Sequence, residues 1–71
     1  MLSANDLSSL AAHGGGFALE ARKFHQDELI RIAAAGAGKG RLVIRDSRRL
    51  SLQDLIRIAD ARPNLVFFEG L

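Results

Sequence analysis

The chain has 71 residues and no cysteine, with 48% hydrophobic residues, 25% charged residues and a formal net charge of +2. That describes one small globular domain and excludes disorder, a disulfide scaffold and a thiolate metal site. The charge is too weak to imply nucleic acid by itself. Its apolar runs fall far short of the ~20 residues a membrane span needs. The N-terminal string MLSANDLSSLAAHGGG lacks the basic lead and long apolar block of a secretion signal. The absence of cysteine fits a reducing compartment, so the expected location is cytoplasmic. A chain this short buries only about 60% of the surface its unfolded state exposes, so added core from a partner subunit would matter.

The first predicted element is a helix opening at Ser3. A serine before a helix accepts hydrogen bonds from its unpaired first amides. Asp6, three residues on, can reach back to the cap's own amide, and Leu2 can staple onto Leu7. Leu7, Leu10 and Ala11 then share one helical face. The string HGGG at 13–16 ends this helix. It looks like the oxyanion loop of esterases, but no serine sits in a G-x-S-x-G elbow, so it is read as a helix stop. A strand follows at FALEA (17–21), with Phe17 and Leu19 on the helix side.

The second helix repeats the pattern as Phe24, His25, Glu28, Leu29, Ile32 and Ala33, with histidine the poorer cap. After it comes GAGKG (36–40). A phosphate loop has the opposite order, strand before helix, and needs a different glycine spacing with Ser or Thr after the lysine. The string is therefore a helix-to-strand loop, with Gly36 expected to be the left-handed stop. Strand RLVIR (41–45) follows, with Leu42 and Ile44 inward. The third helix carries Leu50, Ser51, Asp54, Leu55, Ile58 and Ala59. The last strand is LVFFE (65–69), with Leu65 and Phe67 assigned inward.

One unit thus occurs three times, over about 2–23, 24–49 and 50–71, with offsets of 22 and 26 residues between copies. The order αβαβαβ with short connections favours adjacent parallel strands and right-handed crossovers. The predicted fold is α/β: a single domain, residues 1–71, of three αβ repeats. Its three-stranded parallel sheet carries helices on one face, a solenoid-like stack. Such a chain would complete a fourth unit only if it were a fragment of a longer stack.

The segment LVIRDSRRLSLQDLIRIADARPNLVFFEG resembles a leucine-rich repeat. The strand motif reads Leu42-x-Ile44-x-x-Ser47-x-x-Leu50, then Leu65-x-Phe67-x-x-Gly70, and more loosely Phe17-x-Leu19-x-x-Arg22. The helical half, through Pro63-Asn64-Leu65, is similar to the cysteine-containing class without its cysteine. The ladder position holds Arg22, Ser47 and Gly70 where the family has asparagine or cysteine. The resemblance implies a binding scaffold that engages partners with its sheet face.

The expected function is accordingly a small protein-interaction module, self-associating as a homodimer through the open sheet face or the last strand. Val43, Arg45, Val66 and Phe68 are the candidate partner-binding residues, since an apolar strip on an uncovered face marks an interface. LVFF is also a run that invites strand pairing. The alternative is anion or nucleic-acid binding through a basic rim of Arg22, Lys23, Arg45, Arg48 and Arg49. His13 and His25 lie in different loops without acids at metal spacing. No Ser-His-Asp set or carboxylate pair stands out, so neither an enzyme nor a metal or other cofactor is expected.

Overall fold

A computed structural model describes residues 2–71. Helices α1 (Ala4–Ala12), α2 (Gln26–Ala35) and α3 (Leu52–Ala61) alternate with strands β1 (Phe17–Glu20), β2 (Leu42–Arg45) and β3 (Val66–Phe68). The strands form one open sheet in the order β1-β2-β3, with both pairs parallel. The chain is therefore α/β with three helices and a three-stranded parallel sheet, as its pattern predicts. Short 3-10 turns at Ala21–Lys23 and Ser47–Arg49 carry the first two strands toward the next helix.

The caps form where the sequence puts them. The Ser3 hydroxyl accepts the Asp6 amide at 3.1 Å, and the Asp6 carboxylate accepts the Ser3 amide at 3.1 Å. Ser51 accepts the Asp54 amide at 3.2 Å. At the second helix the Glu28 carboxylate accepts the His25 amide at 2.9 Å. Helix α1 stops as HGGG suggests: Gly14 is left-handed (φ 88), its amide donates to the Ala11 carbonyl, and the Gly15 amide donates to Leu10. That pair of bonds is a Schellman closure.

Leu19, Leu42 and Ile44 from the strands meet Ala4, Leu29, Ile32, Ala33 and Ile58 from the helices in one core. All three helices therefore cover the same face of the sheet, and alternation leaves Ala18, Val43 and Arg45 on the other.

Strand β3 runs in the opposite phase to the one its sequence suggests. The register pairs Leu42 with Val66, Val43 with Phe67 and Ile44 with Phe68. Val66 and Phe68 pack against the core, while Phe67 is 47% exposed. The cause is the turn before the strand. Asn64 is left-handed (φ 68), and Leu65 still donates its amide back to the Arg62 carbonyl. One more residue is consumed between Ala59 and the first paired position than between Ala11 and Phe17. A one-residue slip sends every side chain of a strand to the other face.

Candidate functional site

The uncovered sheet face is built in rows. Across its middle, the register aligns Ala18, Val43 and Phe67. Beyond them Glu20 is in register with Arg45, and the Arg45 Nε lies 3.7 Å from Glu69 Oε1. Before them, the Arg41 guanidinium lies 5.5 Å from the centroid of the Phe67 ring. An exposed cation–π contact of this kind contributes roughly 0.5–1 kcal/mol, and it holds the ring against the sheet while leaving one face open. The surface is a short apolar stripe between charged margins. Of the residues expected here, Val43 and Arg45 are present. Val66 and Phe68 are not, because the slip in β3 turns them into the core, and Phe67 stands in their place.

The two 3-10 turns lie against each other, so Arg22 and Lys23 share a rim with Arg48 and Arg49. Carboxylates are interleaved with them. Glu20 takes Arg22 at 3.1 Å and Lys23 at 3.6 Å, and Asp46 takes Arg48 at 3.5 Å. With Arg45 on Glu69, four of the five expected anion-binding cations have a carboxylate within 4 Å; Arg49 alone has none among the described residues. Exposed pairs like these are individually weak. Three carboxylates against five cations offset only part of the charge, so the rim keeps a formal +2, with Glu20 shared between Arg22 and Lys23.

The two glycine strings pack on one another at the opposite end. A Cβ on Gly40 would come within 2.8 Å of the Gly14 and Gly15 backbone, so that loop crossing requires glycine. Lys39, the lysine of GAGKG, donates its ammonium to the Ala12 carbonyl at the end of α1. Gly36 is not the left-handed stop: its φ is −107, and Gly38 (φ 74) makes that turn instead. Gly36 is required for space. A Cβ there would lie 2.2 Å from Nη2 of Arg62.

Arg62 is the one functional-looking side chain with no forewarning in the sequence. It is fully buried. Its Nε donates to the Ala33 carbonyl at 2.9 Å, Nη2 to Ile32 at 3.0 Å and Nη1 to Gly40 at 2.9 Å. No carboxylate pairs with it among the described residues. The negative end of the α2 dipole takes the place of a counter-ion, while burial pushes the guanidinium below its ordinary pKa. Each of its three nitrogens is engaged by a backbone carbonyl, two of them on α2, so its role is to fasten α3 to α2. Basic residues near helix ends are a known capping signal, but this one reaches the preceding helix rather than its own.

The histidines stay apart. His13 Nδ1 lies 2.8 Å from the Ser9 carbonyl, and His25 caps α2. Among the described residues no three His, Asp or Glu side chains cluster as a metal site would, and no helix is long and apolar enough to cross a membrane.

The chain matches no protein-family model, no curated protein and no solved structure.

Proposed function

We propose that this chain is a small protein-interaction module rather than an enzyme. Its binding surface is the open sheet face, and the occupant is a second copy packed face to face. The observation that carries this is Phe67: a large aromatic ring, 47% exposed on an uncovered sheet, framed by Val43 and Arg41. Buried aromatic anchors with a charged surround dominate interfaces of this kind. Glu20, Arg45 and Glu69 alternate in sign across the sheet, a pattern that can complement itself across a twofold axis.

The fold reading behind it is a leucine-rich-repeat-like α/β solenoid of three units. Two features support it. Each unit supplies a capped helix and then a strand. In the middle unit the ladder position holds a buried polar residue, Ser47, whose hydroxyl donates to Ile44 at 2.7 Å and whose amide donates to Glu69.

The chain has no cysteine, so an introduced one reports its own neighbourhood. Val43→Cys, at the centre of the face, is expected to oxidise to a disulfide-linked dimer far faster than Asp27→Cys on α2. Adding Phe67→Glu should abolish the difference. Equal rates for the two cysteine variants would refute the sheet face as the contact.

A further inference from the structure

We infer that the two ends of the molecule are complementary halves of one joint, and that copies of the chain stack head to tail through them. This rests on the reading of three like units, but not on the sheet-face contact.

The helices can be superposed by their sequence offsets. Leu10 of α1 corresponds to Ile32 of α2 and Ile58 of α3. Ile32 and Ile58 are fully buried, each with a helix before it; among the described residues Leu10 has none and is 43% exposed. Leu2 shows the same thing. Its counterparts Phe24 and Leu50 pack on the core, whereas Leu2 is 52% exposed.

The other end reverses the relation. Ala4, Ser8 and Ala11 of α1 correspond to Leu52, Ile56 and Ala59 of α3. In α1 the two alanines are buried; the equivalent of Ile56 in α2 is Ile30, which packs against the core. Among the described residues no helix packs beyond α3, and Leu52 and Ile56 are 69% and 45% exposed. Single exposed leucines are ordinary on a protein surface. Here Leu10 and Ile56 occupy positions whose counterparts in the other units pack inward, and they fall at the two ends; Leu52 is apolar where α2 has the exposed Gln26.

The shapes fit as well as the chemistry. The outer side of α1 carries a shallow groove of about 370 Å³ lined by Leu2, Asp6, Ser9, Leu10 and His13. Leu52 and Ile56 are one helical turn apart and project from α3 as a ridge that such a groove accepts. The same step sets the free edge of β1 beside the free edge of β3, so the parallel sheet runs on from copy to copy. Because the contact is heterologous, it repeats and yields rings or open filaments rather than a closed dimer.

The test uses paired cysteine variants of the full chain, each also carrying Phe67→Glu so that the sheet face does not contribute. Leu10→Cys and Ile56→Cys chains, one of them bearing a mass tag, are oxidised separately and as a mixture. The expected result is a mixed Leu10–Ile56 disulfide at least tenfold over either self-disulfide, lost when Leu52→Glu is added to the Ile56→Cys chain. Circular dichroism melts of each variant check that the fold persists. Self-disulfides as abundant as the mixed one would overturn the head-to-tail geometry. A mixed disulfide no faster than an Asp27→Cys control would overturn the association itself and assign these faces to a different partner. Either failure leaves the Val43→Cys result untouched, so the two contacts stand or fall separately.

Discussion

Replacing Arg62 by methionine keeps an unbranched apolar stem in the same channel and removes the guanidinium. Three hydrogen bonds, to the carbonyls of Ile32, Ala33 and Gly40, are then lost, and of these acceptors Ala33 keeps the Gly36 amide at 3.2 Å. Hydrogen bonds from a charged donor contribute roughly 1.5–3 kcal/mol each, so three give an upper bound of about 4.5–9 kcal/mol. Against this stands relief from burying the cation, an effective cost of several kcal/mol per ion. The Ile32 and Ala33 carbonyls lie near the end of α2 beside the fully buried Arg62, so the loss is expected to exceed the relief by about 3 kcal/mol. In a domain of this size 1 kcal/mol moves the melting temperature by roughly 4–8 °C, which predicts a fall of about 12–24 °C. Arg62→Lys should fall between, since a single ammonium lacks the planar fork that reaches three acceptors. Thermal and urea melts followed by far-ultraviolet circular dichroism measure both. If Arg62→Met melts within ~3 °C of the native chain, the desolvation cost has cancelled the bonds and the fastening role assigned to Arg62 is wrong.

Two further substitutions probe the same framework. Gly36→Ala places a methyl 2.2 Å from the Arg62 Nη2 and should destabilise by about 2–3 kcal/mol, as overpacking does. In an Arg62→Met background the same change should cost less, and a double-mutant cycle in the melts detects the coupling. Ser51→Ala removes the acceptor for the Asp54 amide and should cost about 1 kcal/mol, a drop of roughly 4–8 °C in the same assay.

What could be read from the chain was what its neighbours in sequence decide. The Ser3 and Ser51 caps and the HGGG stop all close within five residues, and each forms as expected. The phase of β3 depends on Asn64, whose left-handed turn absorbs one residue without breaking the apolar pattern LVFF. Either alternation of that run looks acceptable, since all four residues are apolar. Only the register with Val43 selects Phe67 as the outward ring. Arg62 was invisible for a different reason: its acceptors on α2 lie 29 and 30 residues upstream. Gly36 follows from Arg62, so its role could not be separated from an ordinary helix stop. The order of elements brings the two 3-10 turns together, whereas the carboxylates that pair with their cations follow only from the folded geometry.

The direction of the two carbonyl-binding cations sets an order of events. Lys39, which follows α2, closes the end of α1, and Arg62, which follows α3, closes the end of α2. Detaching the first helix uncovers no other helix end, whereas detaching the last unseats the middle one. Amide exchange should therefore begin at residues 4–12 and reach α2 only when α3 opens with it. During synthesis the same dependence runs backwards along the chain, so that each of these helix ends is secured by a residue that emerges after the following helix.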